Sequence, residues 1–271
     1  MTMPDPPPSK RRTRATQPVV PELLQSGSST EVVSAAGPSG VSAGRGCEKP
    51  EASYAELHCR TNYSFQEGAS HADELAARAK DLGYSGLAVT DRNSLAGVVR
   101  AHVAAKEAGL KLLVGAEIVP EDGAAMVLLA MDRAGYGRLS RLITLGRRRA
   151  EKGACRIFLS DIADASEGLL CGIPLSRETQ LRFRREYRPG VNADVPDAEL
   201  RRIFEIFPDR SYALAELHHG PVDDLRLERW LGQCDRLGLP VAAANDVHFH
   251  SARRRPLQDV LTSIRCGVPL Q

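Results

Sequence analysis

The sequence predicts an α/β fold in which seven short β-strands alternate with helices. From Tyr54 onward, short apolar runs are separated by stretches whose apolar positions recur at helical spacing. This alternation is typical of βα units and a parallel sheet. Seven such units can close as a barrel or lie open as a doubly wound sheet, and the pattern does not decide between them. The strands are predicted at 54–58, 86–91, 111–119, 126–131, 168–173, 211–218 and 240–245.

The helices between these strands are bounded by recognisable capping residues. Ser70, with Asp73 three residues later, is typical of the start of a helix, and Gly83 suits its end. Gly109 ends the next helix. After the first helix, further helices are predicted near 95–108, 136–151, 177–187, 197–206, 223–237 and 256–265.

Residues 1–50 differ in composition from the rest of the chain and are predicted to form a disordered tail. They are rich in Pro, Ser, Gly, Thr and Ala, with almost no aromatic residues. Such a segment buries too little apolar surface to offset the entropy lost on ordering. We interpret its basic run, from Lys10 to Arg14, as solvated charge, with contact to nucleic acid as the alternative. The globular domain is therefore predicted to span residues 51–271.

Charge and composition exclude several classes of protein. Lys and Arg total 36 against 34 Asp and Glu, and the resulting net charge of +2 does not favour a protein that coats nucleic acid or a membrane surface. No apolar run reaches the roughly 18 residues that span a bilayer, so we expect no membrane partner and a cytoplasmic location. The six cysteines form no CxxC pair, which argues against a zinc cluster or a disulfide framework.

Ionisable side chains follow five of the seven predicted strands. The carboxyl ends of parallel strands share one edge, where ligands gather in α/β folds. A lone His or Asp after a strand is more often structural or a helix cap, so the convergence of several carries the argument. Imidazole and carboxylate groups together bind zinc, manganese or iron, which activate water and hold phosphoryl oxygens. These residues alone therefore indicate a metal-dependent phosphoesterase: His58, Asp91, Glu117, His218, His219, Asp246 and His248.

Five segments resemble motifs of the PHP (polymerase and histidinol phosphatase) domain. The first two motifs resemble ELHCRTNYSFQEGAS (56–70) and GLAVTDRNSLAGVVRAH (86–102). The third matches LLVGAEI (112–118), and the motif that closes the metal site resembles AANDVHFH (243–250). The last segment, RRRPLQDVLTSIRCG (253–267), is similar to the sequence that follows in the error-prone branch of bacterial DNA polymerase III alpha subunits. The resemblance implies a distorted barrel of seven βα units, with residues 253–271 leading toward a polymerase region.

The resemblance also implies a metal site, which this sequence alters. The positions that match the ligands of the family are His58, Glu117, Asp246 and His248. Arg60 and Arg92 stand where the family has imidazoles, and Glu67 stands where it has an aspartate. A guanidinium offers no lone pair to a metal, so one weak divalent site, for zinc or manganese, is the most that we expect. We hypothesise that both arginines instead pair with carboxylates, namely with Glu67, Asp91, Glu117 or Asp246.

Three functions remain open at this stage. The preferred one is a structural domain of an error-prone DNA polymerase, without catalytic residues of its own. The resemblance implies that such a polymerase uses magnesium, acts on DNA in replication and repair, and works with other DNA-repair polymerase subunits. The second is a metal-dependent phosphoesterase or 3′–5′ exonuclease. The third is a nucleic-acid or partner-binding module, for which the basic clusters are Arg147–Arg149, Arg182, Arg184, Arg185 and Arg253–Arg255.

Overall fold

The computed structural model describes residues 53–175, 195–218, 220 and 223–270 of the chain. The predicted tail, the predicted helix at 177–187, His219 and the arginines at 182, 184 and 185 lie outside this part. Among the described residues, seven strands form one sheet whose spatial order follows the sequence. They are β1 (Ala55–Glu56), β2 (Gly86–Val89), β3 (Lys111–Ile118), β4 (Met126–Ala130), β5 (Leu169–Pro174), β6 (Ser211–Glu216) and β7 (Val241–Ala244).

The first and last strands of this sheet meet, which makes it a nearly closed barrel. Cys59 and Val247, just beyond β1 and β7, form a parallel bridge. The amide of Arg60 donates to the carbonyl of Val247 at 2.8 Å, and the amide of Val247 donates to that of His58 at 2.9 Å. The predicted PHP-type barrel is therefore confirmed, and the doubly wound alternative is excluded.

The expectation of a wholly parallel sheet is wrong at β4. This strand runs antiparallel to both β3 and β5, whereas the other neighbouring strands are parallel. Residues 119–125 alone join β3 to β4. A parallel crossover needs a dozen or more residues, so this connection is too short for one. The helix after β4 therefore runs toward the end of the barrel where the parallel strands finish, which we call the mouth.

The helices surround the barrel and mostly match the predicted ranges. The first helix begins one residue later than expected: the amide of His71 donates to Glu74 at 2.9 Å, while Ser70 binds His250 instead. A short helix at 159–165 was not predicted. The helices are α1 (Ala72–Asp81), α2 (Val98–Ala108), α3 (Arg133–Arg149), α4 (Leu159–Ala165), α5 (Asp197–Ile206), α6 (Asp223–Leu237) and α7 (Arg255–Cys266).

Two apolar clusters hold this arrangement together. The larger one packs β3, β4 and β5 against α3, α4, α5 and α6, with Leu128, Leu139 and Phe207 fully buried. The smaller one packs α1 and α2 on β2 and includes Leu75 and Cys59. Burial of large apolar side chains contributes about 1.5–3 kcal/mol each, so these clusters fix the strand ends that carry the polar residues. No helix in the described part of the chain is long and apolar enough to cross a membrane.

Candidate functional site

The mouth of the barrel gathers ionisable side chains from four separate segments. His58 and Arg60 follow β1, and because side chains alternate along extended backbone, both point into the barrel while Cys59 packs in the smaller core. Arg92 follows β2 and bridges to Glu117 in β3. Asp246 and His248 follow β7, where Asp246 adopts a left-handed backbone with φ of 48°. Aspartate is among the residues that tolerate this conformation.

Arg60 lies at the centre of this group and is 1% exposed, so its charge depends on partners rather than on water. Its Nε donates to Glu117 Oε2 at 3.1 Å, and its Nη2 lies 3.0 Å from the same oxygen. Nη1 lies 3.3 Å from Asp246 Oδ1 and 2.8 Å from His248 Nε2. One guanidinium therefore joins two carboxylates and an imidazole from different segments.

Arg92 adds a second guanidinium at the outer side of the group. Its Nη1 donates to Glu67 Oε1 at 2.6 Å, and its Nε donates to Glu117 Oε2 at 3.1 Å. Arg60 also lies 4.0 Å from Glu67. The hypothesised pairing is confirmed: Arg60 pairs with Glu117 and Asp246 and lies near Glu67, and Arg92 pairs with Glu67 and Glu117.

Asp91, the fourth proposed partner, is held differently. It accepts hydrogen bonds from the Thr61 amide at 2.8 Å and the Ser64 hydroxyl at 2.7 Å, and it pairs with neither arginine in the described structure. Burial raises the pKa of Asp91 above its ordinary value. A Cβ at Gly97 would lie 2.4 Å from Asp91 Oδ2, so this glycine leaves room for the carboxylate. Of the four alternative partners, Asp91 is the one that the arginines do not use, because neutral donors of the first loop reach it instead.

The arginines hold two buried carboxylates in the ionised form. Burial alone raises the pKa of Glu117, but Arg60 and Arg92 outweigh it and lower this pKa to about 2. Burial likewise raises the pKa of Asp246, and the charges of Arg60 and His58 outweigh it and hold this pKa well below its usual range. Both carboxylates remain negative at neutral pH, and the guanidiniums provide the compensating charge.

His58 belongs to a second group, which includes a residue that the sequence analysis missed. Its Nδ1 lies 2.7 Å from Glu216 Oε1 and 3.6 Å from Asp246 Oδ1. Burial lowers the pKa of His58, but Asp246 and Glu216 outweigh it and raise this pKa to about 9. Within the described residues, His58 Nε2 is buried without a hydrogen-bond partner. Each of these three side chains offers a ligand atom within 4.8 Å of the others, a spacing that can hold a metal ion.

The position of Glu216 in the sequence already indicates that it is unusual. It lies inside the predicted strand 211–218 among apolar residues, and its side chain is buried in the barrel. A carboxylate at such a position is costly unless it is paired, so Glu216 itself predicts a partner nearby. Glu216 is not at the end of the predicted strand, where His218 is, and so the pattern of strand ends does not point to it.

His248 makes its shortest contacts with Arg60 and the main chain of Glu67, while Asp246 Oδ2 lies 3.4 Å from its Nε2 and Gln258 Nε2 lies 3.3 Å from its Nδ1. Arg60 is a donor only, so His248 Nε2 accepts from it at 2.8 Å. His248 Nδ1 then donates to the carbonyl of Glu67 at 3.0 Å. The lone pair that a metal would use is thus directed at a guanidinium. An ion bound by His248, Glu117 and Asp246 together would have to displace Arg60.

His218 lies at the surface of the mouth rather than inside it. Its side chain is 42% exposed, and its Nε2 lies 4.0 Å from Asp246 Oδ2. Partial burial lowers the pKa of His218, so the ring is mainly neutral at pH 7. His218 therefore lies at the rim of the mouth, and His219 lies outside the described residues.

Sequence comparison finds curated relatives of this chain. An error-prone DNA polymerase from Dechloromonas aromatica is 48% identical over 213 residues, covering 78% of this chain and 20% of that protein. The corresponding protein from Rhodopirellula baltica is 45% identical over 218 residues, with 79% and 18% covered. The chain thus spans about a fifth of the length of these curated relatives.

Fold comparison and a family model lead to the same assignment. An amidohydrolase structure from Chromobacterium violaceum, solved with sulfate and no metal, superposes with a TM-score of 0.51 at 16% identity, covering 73% of this chain and 88% of that one. Identity this low supports the fold alone. The family model for the PHP domain matches residues 56–217, which is more than half of the chain. On that match, together with the barrel and its mouth, the chain belongs to the PHP domain family.

Proposed function

We propose that this chain is the PHP portion of an error-prone DNA polymerase, and that it serves there as a structural domain in which ion pairs take the place of metals. The polymerase relatives, at 45–48% identity, support the first part. Magnesium-dependent nucleotide addition to DNA in replication and repair, and any contact with other repair-polymerase subunits, would then belong to the other four fifths of such a polymerase. Such a role implies a cytoplasmic location, because the bacterial chromosome lies there.

One observation carries the structural part of the proposal: the buried guanidinium of Arg60 contacts Glu117, Asp246 and His248 at 2.8–3.3 Å. A site for several metals does not fit this arrangement, because Arg60 and Arg92 supply donors where the metals need lone pairs. The carboxylates still need positive charge, since leaving a buried charge unpaired costs about 3–5 kcal/mol. Fixed guanidiniums meet that need without an ion, and they join β3 to the segments that follow β1, β2 and β7.

The proposal is tested by measuring bound metal together with nuclease activity. The purified chain is treated with chelator, incubated with zinc or manganese, freed of loose metal by gel filtration and assayed for metal by mass spectrometry. We expect far less than one ion per chain and no release of nucleotides from single-stranded DNA. The double variant Arg60→His and Arg92→His restores imidazoles and should bind more metal. Stoichiometric metal with nuclease turnover in the unsubstituted chain would overturn the structural role.

A second candidate is a phosphoesterase or 3′–5′ exonuclease with one zinc or manganese ion. The specific observation in its favour is the His58, Glu216 and Asp246 group, which has ligand atoms close together and lies beside the ion pairs of Arg60. Under this alternative, one ion binds per chain, and His58→Ala abolishes both metal binding and nuclease turnover. The variant His102→Ala, at an exposed position on α2, serves as the control and should keep both.

The third function is binding of nucleic acid or a partner. Several of the arginines predicted for it instead make contacts within the chain. Arg254 pairs with Glu74. Arg147 donates to the carbonyl of Asn93 at 3.0 Å, and Arg149 pairs with Asp161. Arg148 has no such partner in the described part of the chain, and the surface around it is considered next.

A further inference from the structure

Helix α3 has an unusual charge and an unusual direction for this barrel. Residues 133–149 include six arginines and no acidic residue. Because β4 is antiparallel to its neighbours, α3 runs toward the mouth instead of away from it. Its last turn reaches the loop that carries Arg92, where Arg147 Nη2 donates to the carbonyl of Asn93 at 3.0 Å. The arginine-rich helix therefore ends beside the candidate site.

Three of the six arginines are engaged in stabilising the fold. Arg138 pairs with Glu167, and Arg147 donates to main-chain carbonyls. Arg149 makes a bidentate pair with Asp161, at 2.6 and 3.0 Å. Their charges are satisfied by these contacts, so they have limited capacity for an external ligand.

The other three arginines are exposed and make no ion pair or hydrogen bond with any described residue: Arg133, Arg141 and Arg148. Arg141 and Arg148 are separated by two helical turns, so they project from the same face about 10 Å apart along the axis. Between them lie Thr144 and Leu145, which is 44% exposed. The four side chains, with Arg149, border an open surface region of about 550 Å³.

We propose that this face of α3, which we call the arginine face (Arg141, Thr144, Leu145 and Arg148), binds the phosphate backbone of a single nucleic-acid strand. Two guanidiniums on one face present forked donors that match phosphate oxygens bidentately. No carboxylate on the helix competes for them. The binding surface is distinct from the ion-paired mouth, so the proposal goes beyond a purely structural role.

A nucleic-acid strand fits this surface better than an acidic protein does. The two unpaired charges are spaced along a straight helix, and a nucleic-acid strand offers phosphates at regular intervals along its length. Leu145, between the arginines, gives an apolar contact for a base or sugar. The end of α3 at Asn93 leads such a strand toward the mouth.

The test measures binding of a fluorescein-labelled single-stranded DNA 20-mer to the full 271-residue chain by anisotropy, at several salt concentrations. Each phosphate contact contributes about 0.7 to the slope of log K against log salt for single strands. The double variant Arg141→Gln and Arg148→Gln should therefore lower the slope by about 1.4, and the affinity at 0.1 M salt by roughly 25-fold. Circular dichroism melting checks that the variant folds, which its exposed positions allow.

The matched control is Arg100→Gln with Arg201→Gln, which removes the same charge from exposed positions on α2 and α5. We expect its affinity to stay within about threefold of the unsubstituted chain. Equal losses in both double variants, or no loss in either, would overturn the proposal, since they would assign binding to net charge or to the basic run near Lys10. Tighter binding of a polyglutamate peptide than of DNA, lost in the first double variant, would also overturn it in favour of an acidic protein partner.

Discussion

Replacing Arg60 with methionine should destabilise the barrel strongly. The substitution keeps much of the side-chain volume and removes the guanidinium that Glu117 and Asp246 share. Lowering the Glu117 pKa from 4.5 to about 2 corresponds to about 3 kcal/mol, part of which belongs to Arg92. Asp246 adds a second contribution through the same guanidinium. We therefore expect Arg60→Met to lower the free energy of unfolding by about 3–5 kcal/mol at pH 7, the range for a broken buried pair.

The same substitution should change how stability depends on pH. With Arg60 present, the folded-state pKa of Glu117 is depressed, so its contribution is present above the unfolded value of 4.5 and is lost as pH falls toward 2. Without Arg60, fewer charges oppose the effect of burial on Glu117 and Asp246, so the folded-state pKa of both carboxyls rises and the folded variant takes up protons at a higher pH. The difference in stability between the two proteins should therefore shrink as pH falls from 7 to 5.

Urea unfolding followed by circular dichroism at pH 7 and pH 5 measures both effects. The control is Arg100→Met, on the exposed face of α2, which we expect to cost less than about 0.5 kcal/mol. A loss below about 1 kcal/mol for Arg60→Met, or a loss that is equal at the two pH values, would refute the reasoning that this guanidinium compensates buried carboxylates.

Two further predictions concern the histidine group and the packing around Asp91. Because the folded-state pKa of His58 is raised to about 9, its contribution to stability is complete below the unfolded value of 6.5 and is lost as pH rises through 9. The urea midpoint should therefore fall between pH 6.5 and pH 9, and Glu216→Gln should make this fall smaller. A variant with the same pH dependence as the unsubstituted chain would count against the pairing of His58 with Glu216. Gly97→Ala places a Cβ 2.4 Å from Asp91 Oδ2 and should lower the free energy of unfolding by about 1–3 kcal/mol. Gly137→Ala, with no atom within 4 Å of the new Cβ, should instead stabilise α3 by about 0.5–1 kcal/mol, and equal effects of the two substitutions would contradict the packing argument.

The placement of the site could be predicted from the sequence because it depends on strand ends. His58, Glu117 and Asp246 each come at or near the end of an apolar run, and parallel strands bring such positions to one edge. The two arginines could be anticipated as charge partners because they occupy positions of expected imidazoles. The antiparallel direction of β4 could also be predicted from the sequence, since residues 119–125 are too few for a crossover helix.

The choice of partners could not be predicted, because it depends on distances across the barrel. Glu216 and His58 are 158 positions apart in the chain and meet at 2.7 Å. Asp91 and Arg92 are adjacent, yet Asp91 is taken by hydroxyl and amide donors of another loop while Arg92 turns to Glu67. Consecutive residues of an extended segment point to opposite sides, so proximity in sequence gave no information about which ion pair forms.

The junction between the first and last strands lies within the charged group itself. The backbone bonds that join the two ends of the sheet involve His58 and Arg60, whose side chains carry charge into the mouth, and Val247, which lies between Asp246 and His248. A change in the charges of the mouth should therefore weaken the backbone hydrogen bonds that close the barrel. Amide hydrogen exchange at Arg60 and Val247 would therefore report on the balance of charge inside the barrel. Such a barrel can replace one source of positive charge at its mouth with another more readily than it can lose positive charge there altogether.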